Sequence, residues 1–315
     1  MAIAGIERVV YGVEDMAEGR RFFSEWGLTA SEDSPGRTLF RAADGGQIEI
    51  VAAADPTLPP AIEPGSTVRQ VVWGVDTTAD IDALEARIRA QAPACKPNRV
   101  SADRLELTDP MGLAIAFTLT GRTPTPLCAG QVAHPAPRID QEGKRYERAE
   151  PQRIGHIVFT TPDIDAVEAF YTRVLGFRPS DRYIGRAVFL RCRVEGEHHN
   201  LFLLKSPDNG SHMHHIAFGV RDIHEVFGGG MAVAKGGWST FMGPGRHVIS
   251  SCYFWYFRNP CGGAAEYYAD TDWVTEQWVP RELPQEARYF SEWMLTDGVK
   301  RWEGVQQQTT EAKVR

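Results

Sequence analysis

The run from Gly245 to Glu266, GRHVISSCYFWYFRNPCGGAAE, places a histidine, a tyrosine and a glutamate along two strands and the turn between them. His247 opens an apolar and aromatic stretch, Asn259-Pro260-Cys261-Gly262-Gly263 makes the turn, and Glu266 follows two alanines. Flanked by Ala264, Ala265, Tyr267 and Tyr268, the Glu266 carboxylate has little around it to solvate a charge. Such a group calls for a cation or a metal ion, unless the strand is an edge and the side chain faces water. Eight of the nine histidines lie after residue 150, and the ninth, His134, falls in a stretch without periodicity. Metal or acid–base chemistry is therefore expected in the C-terminal half.

The elements that must position these residues repeat four times. Residues 5–23 read as an alternating strand, a turn at Glu14-Asp15 and a helix, with short strands following at 37–42 and 47–52. The order recurs from VRQVVWGV (68–75) through the helix DALEARIRA to strands near 104–108 and 113–119. It restarts at RIGHIVFTTPDIDAVEAFYTRVLGF (153–177), where Ile154, Asp163 and Phe170 match Ile6, Asp15 and Phe22 at a constant offset of 148. HMHHIAFGVRDI (212–223) begins the fourth unit, with helical character near 223–227, and NPCGGAAEY (259–267) parallels DPMGLAIAF (109–117). Each unit is βαβββ and cannot bury its own sheet face, so the units must pair. The expectation is an α+β fold of four βαβββ modules in two domains, residues 1–121 and 151–270, with a Pro- and Gly-rich linker at 122–150 and an aromatic-rich tail at 271–315.

Comparison of the halves isolates what the second one adds. Where it carries His156, His215 and Glu266, the equivalent positions of the first hold Arg8, Gln70 and Ala116. Two imidazoles and one carboxylate converging from strand interiors hold a divalent ion on one face and leave the other open, the arrangement of non-haem Fe(II) oxygen chemistry. A closed structural site would need a fourth protein ligand.

IGHIVF with PDIDAVEAFYTRVLGF, then EHHNLFL, HMHHIAF and the run from GRH to EYY, resemble the type I extradiol ring-cleaving dioxygenases of the vicinal oxygen chelate superfamily. The resemblance implies the vicinal oxygen chelate fold, His156, His215 and Glu266 as ligands of Fe(II) with Mn(II) as the alternative ion, and a small aromatic diol and O2 as substrates. It also implies His199 as the acid–base residue near the O2 site, with Tyr256 and His247 as hydrogen-bonding partners of the substrate. By residue type alone His199 also reads as a solvent-facing neighbour of His198, and Tyr256 as a core aromatic. His212, His214 and His224 read as structural or solvated, and strand alternation puts His214 on the face opposite His215. Trp255 stands where a medium-sized aliphatic or Phe is usual, and Ser250 where biphenyl-type relatives carry Asp. Arg186 and Arg246 are candidates to face an acidic substituent, with solvation the plainer reading.

A net charge of −7 argues against a surface for nucleic acid. No apolar run approaches a membrane span, and the start MAIAGIERVV lacks the features of a signal peptide, so the expected location is cytoplasmic and the expected state a homo-oligomer. The five cysteines show no CxxC spacing and read as small buried apolar residues. The tail either packs on its own domain or a neighbouring subunit, or covers the substrate mouth. Two competing functions share the fold: a glyoxalase-type metal-dependent isomerase or transferase, which needs a fourth ligand, and a ligand-sequestering protein, which needs none.

Overall fold

Every module begins with an apolar strand that runs into a residue able to cap the next helix. In the computed structural model, which describes residues 3–125, 139–140, 142–143, 145–296 and 300–301, the side chains of Asp15, Thr77, Asp163 and Asp222 accept hydrogen bonds from the backbone N–H groups of Glu18, Asp80, Ala166 and Glu225. Each cap satisfies a donor that the first helical turn leaves free. The first module comprises β1 (Ile3–Val13), α1 (Met16–Glu25), β2 (Thr29–Ser34), β3 (Arg37–Arg41) and β4 (Gln47–Ala52), and the second β5 (Thr67–Val75), α2 (Thr78–Gln91), β6 (Asn98–Ser101), β7 (Arg104–Thr108) and β8 (Ala114–Leu119). The third has β9 (Arg153–Thr161), α3 (Ile164–Ala169), β10 (Arg178–Tyr183), β11 (Ala187–Arg191), the short β12 (Gly196–Glu197) and β13 (Leu201–Lys205). The fourth has β14 (His212–Gly219), α4 (Ile223–Lys235), β15 (Thr240–His247), β16 (Tyr253–Arg258) and β17 (Ala264–Ala269). The tail adds β18 (Trp273–Val274), β19 (Arg281–Leu283), α5 (Ala287–Phe290), β20 (Ser291–Thr296) and β21 (Lys300–Arg301).

Modules pair through their first strands. The eight-stranded sheet runs β2-β3-β4-β1-β5-β8-β7-β6, with β1 and β5 antiparallel at its centre. The second sheet repeats that order as β10-β11-β13-β9-β14-β17-β16-β15 and is extended by the tail, β19 joining one edge and β20-β21 the other. This is the α+β vicinal oxygen chelate architecture. The ends of the 122–150 segment dock onto the body: Arg122 donates to the Ala4 carbonyl at 2.6 Å, and the Tyr146 hydroxyl to Asp222 at 3.0 Å. His134, Cys128, the middle of that segment and Trp302 with the end of the tail lie outside the described residues. The other four cysteines are buried and free, as their reading as small apolar residues anticipates.

One apolar core crosses from sheet to sheet. Trp26 stacks on Tyr267 at 3.8 Å between centroids, and Trp73 meets Phe177 edge-on at 5.1 Å. The expected helix near 223–227 continues to Lys235 because Gly228, Gly229 and Gly230 form a surface that its neighbours occupy: a Cβ at 230 would stand 2.2 Å from the Trp255 ring. Glycine disfavours a helix by about 1 kcal/mol per residue, and the burial of the Trp255 indole against Gly230 offsets part of that cost. Trp255 therefore faces the core, with its Nε1–H on the Thr240 hydroxyl at 3.1 Å. Its departure from the usual residue concerns packing.

A second bridge between the halves is polar. Asp109 is buried, receives the Tyr171 hydroxyl at 3.0 Å, and accepts the N–H groups of Met111 and Leu113 at 3.0 Å each. Burial pushes its carboxyl up to about 7 despite these donors. A carboxyl whose folded pKa lies above its unfolded value, about 3.9, stabilises the fold fully below that unfolded value. The contribution is lost as pH rises towards about 7. The equivalent turn carries Asn259, whose side-chain oxygen takes the Cys261 N–H. Asp109→Asn keeps the acceptor and gives Tyr171 a donor, so the variant should gain melting temperature over the parent more at pH 8 than at pH 5. An equal difference at both pH values would contradict the charge argument.

Candidate metal centre

The pairing register brings the expected ligands onto one face. His156 on β9, Ala217 on β14 and Glu266 on β17 stand in a single cross-strand row. His215 precedes Ala217 by two residues and so shares its face. The intervening residues Ile157, Ile216 and Ala265 point the other way into the core. Ala217 is the small residue over which the flanking side chains close. The same row in the first sheet is Arg8, Val72 and Ala116. There Arg8 pairs with Glu49 at 2.9 Å and Gln70 accepts from Arg104 at 3.0 Å, so the equivalent positions are satisfied by ordinary polar pairs.

His156 Nε2 lies 3.1 Å from Glu266 Oε2, and His215 Nε2 lies 3.4 Å from both that oxygen and His156 Nε2. Ligands about 2.1 Å from a divalent ion and at right angles stand about 3.0 Å apart, close to this triangle. Glu266 is completely buried, and its Oε1 has no hydrogen-bond partner among the described residues. Burial alone would raise its pKa, but the hydrogen bonds and charge of His156 and His215 outweigh that and hold the carboxyl well below its usual range. Burial pushes His215 down to about 3. An unprotonated His215 imidazole facing an ionised carboxylate is the pairing that a divalent cation requires. The donor set therefore fits a metal ion. The backbone beneath is equally constrained, because a Cβ at Gly155 would lie 1.8 Å from the Tyr268 hydroxyl, which donates to Glu197 at 2.7 Å beside His156.

His214 corrects the expectation of alternating faces. A register shift between Met213 and His215 in the β14–β9 ladder breaks the alternation, and both His214 and His215 border the same cavity. The two Nδ1 atoms are 2.7 Å apart. Once Nε2 of His215 is committed to an ion, its Nδ1–H can donate to His214, a supporting contact of the kind that orients metal-bound imidazoles. His212 instead links halves, with Glu63 at 3.0 Å and Asp208 at 2.9 Å.

The ligand face opens into a cavity of about 450 Å3. Phe189, Phe202, Leu204, Phe241, Met242, Ile249 and Phe290 supply apolar walls, and His199, His247, Tyr256, Ser250 and Cys252 the polar points. The His199 ring centroid lies 4.1 Å from that of His156, so His199 is buried at the site and does not face solvent. Burial, then the neighbouring histidines, lower its pKa well below the usual value. Tyr256 borders the cavity rather than the distant core, with its pKa raised well above the usual value by burial and by Glu266. His247 Nδ1–H donates to the Phe290 carbonyl at 3.1 Å, which leaves Nε2 to accept the Tyr256 hydroxyl at 3.1 Å. Burial lowers His247 to about 4, consistent with that neutral form.

Neither Arg186 nor Arg246 borders the cavity; they bond Gln285 at 2.7 Å and Glu292 at 3.0 Å. The tail does: Gln285, Glu286, Ala287 and Phe290 border it while β19 and β20 pair with the sheet, so packing on its own domain and covering the site are one arrangement. Sequence reasoning missed His198, which is fully buried 2.8 Å from Asp181. Its one signal was adjacency to His199.

Residues 153–267 match the family model described as the Glyoxalase/Bleomycin resistance protein/Dioxygenase superfamily. Metapyrocatechase 2 of Cupriavidus necator is 38% identical over 130 residues, 41% of this chain and 40% of the relative. The 3-methylcatechol 2,3-dioxygenase of Pseudomonas putida is 32% identical over 137 residues, 40% of this chain and 45% of the relative. The chain thus aligns with less than half the length of these curated relatives. In fold, the Mn(II)-bound glyoxalase from Novosphingobium aromaticivorans superposes with a TM-score of 0.75 at 23% identity, covering 93% of this chain and 91% of that one.

Loss of supporting contacts around a metal typically costs about 10–100-fold in affinity, so loss of a ligand should cost more. Titrated anaerobically with Fe(II) or Mn(II), the parent should bind one ion per chain and Glu266→Ala should bind it more than about 100-fold less tightly. Equal affinity in the two proteins would place the ion elsewhere.

Proposed function

We propose, from the premise that residues 153–267 belong to the glyoxalase, bleomycin resistance protein and dioxygenase superfamily, that this chain is an extradiol dioxygenase. It would open the ring of a catecholic substrate beside its vicinal hydroxyls, with both atoms of O2 entering the ring-opened product. The observation that carries the reading is the triad of His156, His215 and Glu266 facing an apolar cavity in which His199 and Tyr256 also stand. The dioxygenase names of the relatives support it.

His156, His215 and Glu266 would hold the ion, Fe(II) with Mn(II) as the alternative, whose Lewis acidity and one-electron chemistry let O2 react with an aromatic diol. The chain's own contribution is placement and proton handling. Apolar walls receive the ring and keep bulk water from the reacting atoms. His199, neutral and buried beside His156, takes the proton of a ring hydroxyl at one nitrogen and returns it to a leaving oxygen later. The Tyr256 hydroxyl, committed to His247 at 3.1 Å, keeps oxygen lone pairs to accept from the second hydroxyl. Among the described residues no Lys or Arg borders the cavity, which favours an uncharged, apolar-substituted catechol over a carboxylated one.

A glyoxalase-type reaction would call for a fourth protein ligand. The second grouping of donor side chains among the described residues, His247, Cys252 and Glu266, shares Glu266 and adds no carboxylate. A ligand-sequestering role leaves the ionised, buried Glu266 without a purpose.

After anaerobic loading with Fe(II), exposure to air with catechol, 3-methylcatechol or 2,3-dihydroxybiphenyl should consume one O2 per diol and give a yellow product. 3,4-Dihydroxybenzoate should be the poorer substrate. No O2 uptake across the panel would refute the assignment. His199→Ala should keep its metal and lose about 10²–10⁴-fold in kcat; a variant that lost metal yet kept full activity per bound ion would refute the role of His199.

A further inference from the structure

Behind His199 lies a buried series of polar groups with no part in the chemistry above. Asp181 and His198 are fully buried. Asp181 Oδ1 accepts the backbone N–H of Arg281 at 2.7 Å, and Oδ2 accepts the Arg281 Nη2–H at 2.5 Å. Oδ2 also lies 2.8 Å from His198 Nε2, and His198 Nδ1 lies 3.1 Å from His199 Nδ1. Phe189 and Trp278 close the apolar sides of the His198 ring, at 5.3 and 6.0 Å between centroids. Arg281 and Trp278 both come from the tail.

The protons in this series can be placed by donor and acceptor counting. Burial would raise the Asp181 pKa, but His198 and Arg281 together hold it below the usual range, so the carboxylate accepts only. His198 Nε2 therefore carries a proton. Arg281 already pairs with Asp181, so an Nε2–H imidazole at position 198 that donates to the carboxylate leaves its other ring nitrogen as an acceptor. That nitrogen is Nδ1, and the donor facing it is His199 Nδ1–H. His199 must keep its lone pair on Nε2.

We propose that Asp181 and His198, clamped by Arg281, are positioning residues that hold His199 in the Nδ1–H tautomer with its Nε2 lone pair free for the proton of a substrate hydroxyl. The tautomer follows from contacts within this chain; only its use in catalysis rests on the ring-cleavage reading. When Nε2 receives the hydroxyl proton, the ring charge is shared with Nδ1–H, and His198 backed by the Asp181 carboxylate is the group that faces it. Without an acceptor at position 198, His199 is free to place its proton on Nε2, where no base is left.

Histidine 15N NMR of the metal-free full-length protein reads the tautomer directly, with the His199 signals assigned by their loss in His199→Ala. The parent should show protonated Nδ1 and unprotonated Nε2. His198→Leu, which removes the acceptor, should shift His199 towards Nε2–H. His198→Asn, whose side-chain oxygen stands near the place of Nδ1, should retain the parent tautomer and serves as the control if the leucine variant folds poorly. Nε2–H in the parent, or an unchanged His199 in His198→Leu, would overturn the proposal. In turnover, His198→Leu should lower kcat by about 10²-fold, with KM and metal content within about twofold of the parent and most of the loss restored in His198→Asn. A fall in metal content or folding alone, without that split between kcat and KM, would make His198 merely structural and overturn its role. If the parent opens no catechol, the ring-cleavage reading fails by itself and the NMR result alone decides the tautomer.

Discussion

A single buried negative charge governs this molecule. Glu266 is sealed between aromatic strands at the centre of an eleven-stranded sheet, where an uncompensated carboxylate would cost several kcal/mol. Two imidazoles share one of its oxygens and none of the described residues reaches the other. The rest of the C-terminal half is arranged to keep those three side chains on one face: small Ala217 between them, Gly155 beneath Tyr268, and apolar residues at the alternate positions that drive the strands into the core. The first half shows the same sheet without the constraint, where Arg8 and Gln70 find ordinary partners and Ala116 fills the row.

The tail sets the protonation pattern around that charge. Phe290 offers the carbonyl that fixes His247 with its proton on Nδ1, and Arg281 anchors the carboxylate behind His198. Both residues follow the last module, Arg281 on β19 at one edge of the sheet and Phe290 at the end of α5, just before β20 at the other. Extension of the sheet thus couples the stability of the C-terminal segment to the tautomers of two site histidines. Adjacent histidines recur as a device: His198 backs His199, and His214 backs His215, in each pair through facing Nδ1 atoms.

Much of this arrangement is legible in the amino-acid sequence. The offset of 148 between modules survives as matching strand order, and the positions held by Arg8, Gln70 and Ala116 occupy the same register as His156, His215 and Glu266. Repetition made the site readable, because a difference between two copies of one scaffold separates chemistry from packing. What escaped was non-local or broke periodicity. A bulge turned His214 onto the ligand face against strict alternation. Three consecutive glycines concealed the second half of α4, since propensity cannot register the Trp255 ring that packs on them. Asp181 and Arg281 are 100 residues apart, and nothing in either local sequence marks them as a pair or Asp181 as the partner of His198.

The central claim is that the triad carries one divalent ion in open coordination, facing the space where a diol binds. Anomalous diffraction at the iron edge, from crystals loaded with Fe(II) and a catechol without oxygen, tests it most directly. A single iron peak bonded by His156, His215 and Glu266, with the diol on the cavity side of the metal, is the expected result. An iron held by a fourth protein side chain, or a diol bound away from the metal, would contradict it.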